Sequence, residues 1–209
     1  MKKIILLSIV FFSFIFIGVS ETVIAVLPYK IVYEGRIPKK FTPELIESSA
    51  KSEGKSYQLS MINYLVKMNA KNKNEKLNAK VLSQGQIEAL MLQKNITTKQ
   101  LDTLTNSQLA EILGINHVVR GSATRTFIMS DEMSLGITAV NVITGGQVPL
   151  INSTSNISII NSLENITENN IVFSKQFNRV TSATRSDEQN LRDTFRYSAR
   201  KMFKALRKK

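Results

Sequence analysis

Residues 105–121 read TNSQLAEILGINHVVRG, and this stretch decides how the chain folds. Thr105 is placed to cap a helix, because its hydroxyl can accept from a backbone N–H that lacks a partner in the first turn. Gln108, three residues on, can reach back to the cap's own N–H and complete a capping box. Leu104 and Leu109 flank the cap at the spacing of a hydrophobic staple. Leu109, Ile112 and Leu113 share one helical face. Gly114 suits the left-handed position that ends such a helix. Ile115, Val118 and Val119 then open a β-branched run that favours a strand. Helix, glycine stop and buried strand are explained without any reactive side chain.

Toward the N-terminus the same signal repeats. Ser83 and Gln86 form a second box, with Leu82 and Ile87 as its staple, and the helix they start runs to about Lys94. Thr97 and Gln100, with Ile96 and Leu101, open a single short turn. Residues 77–82 read as a strand. So do residues 22–27, TVIAVL, a continuous apolar run ended by Pro28. Residues 29–40 carry Gly35, Pro38 and several cations and read as a loop. Thr42 caps a longer helix with Pro43 at its first position, where a missing N–H costs nothing. Gly54 is expected to break or bend that helix, which ends near Met68.

Toward the C-terminus, residues 115–127 form a strand, a turn falls near Asp131, and residues 132–143 alternate as a further strand. Thr144-Gly145-Gly146-Gln147 is a turn, and strand character returns at 148–151. Residues 152–170, rich in Asn, Ser and Thr, read as a polar loop or insertion. Residues 171–181 read as a strand, and Ser186 caps a last helix with Asp187 and Glu188 in its first turn. The order β-α-β-α-α-β-β-β-α predicts an α+β fold. It is a mixed β-sheet, parallel among its first strands and antiparallel later, with packed helices, in one domain over 21–209.

Composition bounds the setting. Residues 1–20 have the pattern of a secretory signal peptide, with Lys2 and Lys3 before an apolar run and Gly18 and Ser20 before a cut at Glu21. An uncleaved anchor is the alternative. The chain has no cysteine, so disulfides, thiolate chemistry and a lipidated N-terminal cysteine are all excluded. The formal charge is +12, and loss of Lys2 and Lys3 leaves about +10. Such a balance draws anionic partners. Export disfavours nucleic acid and leaves an acidic envelope protein or an anionic lipid surface.

Catalytic groups are sparse. His117 is the only histidine and lies within the apolar INHVV run, where a strand histidine hydrogen-bonded near the core is expected. One His and no Cys leave no basis for a metal site, and no cofactor motif appears. The last helix is the most informative surface. Leu191, Phe195, Ala199, Met202 and Leu206 form an apolar stripe, with Arg192, Arg196, Arg200 and Lys204 at strict four-residue spacing beside it and Arg207 beyond. The stripe either docks on the sheet with the cations solvated, or the cations bind an anionic partner or lipid.

These motifs resemble the curli-secretion-channel (CsgG-like) family and the TolB amino-terminal domain. Their opening strand resembles TVIAVLPY, and their shared pattern LA-x-x-LG-x-x-x-VV-x-G appears here as Leu109-Ala110, Leu113-Gly114, Val118-Val119 and Gly121. The VITGGQV segment is similar to their closing turn. The resemblance implies a TolB N-terminal-domain-like fold in an exported, envelope-associated protein. It also implies a non-catalytic assembly or accessory role that binds other proteins, with oligomerisation left open. A peripheral membrane-binding protein, or a hydrolase with an unrecognised site, is the rival.

Overall fold

The computed structural model describes residues 21–37, 42–71, 79–101, 103–128, 155–180 and 187–207. Among them the strands are β1 (Thr22–Val26), β2 (Lys30–Gly35), β3 (Ala79–Val81), β4 (His117–Phe127), β5 (Ser155–Asn165) and β6 (Asn170–Val180). The helices are α1 (Pro43–Lys71), α2 (Gln84–Gln93), α3 (Thr98–Leu101), α4 (Asn106–Leu113) and α5 (Asp187–Leu206). The signal-like residues, the strands expected at 132–143 and 148–151, the Gly145-Gly146 turn and the Ser186 cap lie outside the described residues.

The strands make one mixed sheet in the order β3-β1-β4-β5-β6, with β2 beside β4. β1 pairs in parallel with β3 and β4, whereas β4, β5 and β6 are antiparallel. The α+β class and the change from parallel to antiparallel pairing are therefore as the sequence predicts. One face packs against α1 and α5, through Met61, Leu65, Phe195 and Met202 on Ile24, Val119, Ile159 and Leu163. The other, over β1, β3 and the start of β4, carries α2, α3 and α4 through Ile87, Leu101, Leu109 and Leu113.

The local signals hold in atomic detail. Ser83 and Thr105 both close complete capping boxes, with Gln86 and Gln108 as the returning side chains. At Thr97 the returning arm forms, since its backbone N–H donates to Gln100 Oε1 at 2.8 Å. Gly114 ends α4 in the left-handed region, at φ +62°. His117 is buried at the start of β4, with Nδ1 2.9 Å from Asn116 Oδ1.

Three readings change. The loop expected at 29–40 contains β2, which pairs in parallel with β4 from Lys30↔Ser122 to Gly35↔Phe127. Ile31 and Tyr33 alternate inward there among exposed Lys30, Val32 and Glu34, a short period hidden by the charged residues around it. The polar loop expected at 152–170 contains β5. Ile157, Ile159, Asn161 and Leu163 face the α1–α5 core, and the Asn and Ser positions between them made the period hard to see. Gly54 does not break α1. A Cβ there would lie 2.2 Å from the Tyr29 carbonyl oxygen, so glycine lets the β1–β2 junction run against the helix.

Tyr29 is the pivot of this packing. Its ring stands edge-on to Tyr57 and Phe195, which themselves meet edge-on, joining α1 and α5 to the junction. Its hydroxyl donates to the fully buried Asn161 Oδ1, and Asn161 Nδ2 donates to Ser198 Oγ at 2.9 Å. Three buried polar side chains thus satisfy one another across sheet and helix.

Candidate functional site

Two groupings of ionisable side chains in the described chain bear on function, a closed cluster and an open face. The closed cluster is centred on Arg125 of β4. Its Nη2 donates to Glu53 Oε1 of α1 at 2.8 Å, and its Nη1 donates to Asp187 Oδ2 at the start of α5. Glu53 also accepts from the hydroxyls of Tyr33 and Tyr57. Burial opposes the Arg125 charge, but Glu53 and then Asp187 outweigh it and hold the guanidinium pKa above its ordinary value. Burial first, and Glu53 after it, pushes the Tyr33 and Tyr57 hydroxyls up. Every carboxylate in this cluster is engaged by Arg125, so it reads as a clamp between layers.

The open face is built by α5 and β6. The apolar stripe of α5 docks on the sheet: Phe195, Ala199, Met202 and Leu206 are buried, and Leu191 packs against the same core. That docking fixes the opposite side of the helix outward. Arg192, Arg196, Arg200, Lys204 and Arg207 are all exposed. From Thr194 to the end of α5 there is no Asp or Glu. Among the described residues, no ion pair forms at Arg192, Arg196, Arg200 or Lys204.

β6 adds residues that the sequence reading missed. Lys175 Nζ sits 4.7 Å from the centroid of the Tyr197 ring and donates to its hydroxyl at 3.3 Å. Lys201 and Arg200 lie 5.4 and 5.7 Å from the same ring. Arg179 lies over Phe177, which meets Tyr197 edge-on, and donates to Thr194 Oγ1. The hydrogen bond from Lys175, and then the charges of Lys175 and Lys201, hold the Tyr197 pKa below its ordinary value. Three cations, Lys175, Arg200 and Lys201, thus gather around one ring. Lys175, Phe177 and Arg179 alternate along 171–181, and a period-two reading of that strand would have placed them on one face.

Beside the cations a groove of about 480 Å³ opens between the start of β6 and the last turns of α5. Ile171, Val172, Phe173 and Ala205 line it, with Lys201 and Lys204 at its edge. Ile171 is 67% exposed there. The face therefore offers an apolar contact rimmed by cations. Among the described residues, no three His, Asp or Glu side chains gather as a metal ion requires, and no helix is long and apolar enough to cross a membrane.

No protein-family model matches the chain, and no curated protein is similar to it. Solved structures show distant likenesses. The lipoprotein GNA1162 from Neisseria meningitidis is 12% identical, over 87% of this chain and 96% of that one, with a TM-score of 0.41. The LpoB C-terminal domain from Salmonella enterica is 15% identical, over 78% and 87%, with a TM-score of 0.36. The PelC dodecamer from Paraburkholderia phytofirmans is 10% identical, over 84% and 87%, with a TM-score of 0.39. The functional reading rests on the surface itself.

Proposed function

We propose that this chain is a non-catalytic, exported envelope protein that binds another protein as an assembly or accessory factor. It presents the α5–β6 face to an acidic surface of that partner. The observation that carries the reading is the row of exposed cations on α5, without carboxylate partners among the described residues, beside an apolar groove. Like charges at four-residue spacing cost a few tenths of a kcal/mol per pair. A partner's carboxylates would offset that cost. The signal-like N-terminus and the resemblance to CsgG-like and TolB amino-terminal domains support the compartment, and the absence of cysteine supports an unlipidated form.

Docking of the α5 stripe also weighs against the membrane reading. A helix that lies in a bilayer interface buries its apolar face in lipid, whereas Phe195, Met202 and Leu206 are already spent on the core. What remains for a lipid surface is the cations and the short apolar groove beside them, not the stripe of the helix.

Cross-linked pull-down from an envelope fraction tests the proposal. The wild-type chain should retain a partner that the Arg196→Glu, Arg200→Glu, Lys204→Glu variant loses, with both showing the same circular dichroism and melting. Retention of the partner by the variant, or loss of binding only to anionic vesicles, would sink it. Fractionation that finds the chain in the cytoplasm with residues 1–20 attached would remove the compartment.

A further inference from the structure

A second and larger concavity, of about 690 Å³, opens at the carboxyl end of β1. Residues 28–31 form its base, and α1 and α2–α3, which cover opposite faces of the sheet, form its walls. From β1 the chain runs on through β2 along β4, and only then returns through α1 to β3 on the other side of β1. Crevices at such a reversal of strand order are where open α/β sheets hold ligands. The volume falls in the range of roughly 300–1,000 Å³ typical of a site for one small molecule.

Its lining has two characters. Ile31, Met91, Leu92 and Ile96 make an apolar track. Leu92, at 77%, is the most exposed large apolar side chain among the described residues. The rim carries Lys30, Lys51, Lys55, Glu47 and Glu88. Lys55 Nζ donates to Glu88 Oε1 at 2.9 Å and joins α1 to α2, so that pair is neutral to a ligand. Glu47 is already engaged. Lys30 and Lys51 are exposed, and neither has a carboxylate partner among the described residues. The crevice thus sets an apolar track beside two cations that no carboxylate of the described residues pairs.

We infer that this crevice binds one molecule of a free single-chain anionic amphiphile, a carboxylate on a hydrocarbon chain. Its chain lies along Ile31, Met91, Leu92 and Ile96, and its carboxylate meets Lys30 and Lys51. A protein partner is the poorer fit, because a stable protein interface buries more than roughly 1,000 Å² and is not confined to one crevice. The site is separate from the α5–β6 face and stands whether or not that face binds a protein.

Calorimetric titration of the full chain with laurate below its micelle concentration tests this. Laurate should bind saturably at one per chain, and dodecyltrimethylammonium, with the same tail and opposite charge, should bind at least about tenfold more weakly. Lys30→Glu with Lys51→Glu should weaken laurate by about tenfold or more, and Leu92→Asp should weaken it without touching the core. Arg196→Glu with Arg200→Glu should leave it unchanged. The inference is overturned if the two amphiphiles bind alike, if the lysine variant binds laurate as the wild type does, or if the α5 variant abolishes binding. It is also overturned if monomeric laurate fails while phosphatidylglycerol vesicles or a protein occupy the crevice.

Discussion

Arg125 and Arg200 are the same residue type in opposite circumstances. Arg125 is only 19% exposed and is held by two carboxylates from two helices. Arg200 stands in solvent on α5 with a tyrosine ring 5.7 Å away and no acid among the described residues. A cation that builds the fold is paired, because an unpaired buried charge costs several kcal/mol. One left unpaired at the surface costs little and remains available. The contrast separates the clamp from the open cationic face without reference to any relative.

Breaking the paired side gives the largest effect. Arg125→Ala leaves Glu53 and Asp187 half-buried without their cation, and should lower stability by about 3 kcal/mol in urea titration. If the loss is below ~1 kcal/mol, Arg125 belongs with the surface cations. Gly121→Ala comes next. Its Cβ would fall 2.1 Å from the Tyr29 ring, and about 2 kcal/mol of overpacking cost should appear in thermal melts. Thr105→Ala, which removes the α4 cap, should cost about 1 kcal/mol. On the unpaired side, Arg196→Ala with Arg200→Ala should leave stability within about 0.5 kcal/mol of wild type, shifted toward greater stability as repulsion is relieved.

The smallest effect is a pH dependence. The hydrogen bond from Lys55, then that from Gln84, holds the Glu88 carboxyl below its ordinary value. A carboxylate with a lowered folded pKa contributes stability that is fully present above its unfolded pKa, about 4.3. That contribution is lost as pH falls through the folded value. Comparing Glu88→Gln with wild type at pH 7 and pH 3, the difference should shrink from a few tenths of a kcal/mol toward zero.

Much of the fold was legible because its signals are local. A Thr or Ser cap, a Gln three residues on, a flanking staple and a glycine stop are all read within a dozen residues, and they stand as written at Ser83, Thr105 and Gly114. β5 was not legible in that way. Its inward positions include Asn161, which is polar in sequence and fully buried in structure because Tyr29 and Ser198 satisfy it. β2 was missed because six residues with two exposed charges and an exposed Val32 carry little pattern, and its pairing is supplied by β4, remote in sequence. The α5 cations were legible from their spacing. Lys175 and Arg179 were not joined to them, since that needs β6 to lie beside α5.

The sequence by itself determined the helix starts, the class of the sheet, the cationic balance and the amphipathic division of the last helix. Each follows from neighbours three or four residues apart and from side-chain chemistry alone. Only the tertiary structure decided that Arg125 is a clamp, that Gly54 and Gly121 make room for Tyr29, and that β6 completes the basic face. It alone also placed a crevice between α1 and α2. These depend on groups dozens of residues apart being brought within a few ångströms, and no local pattern records that distance.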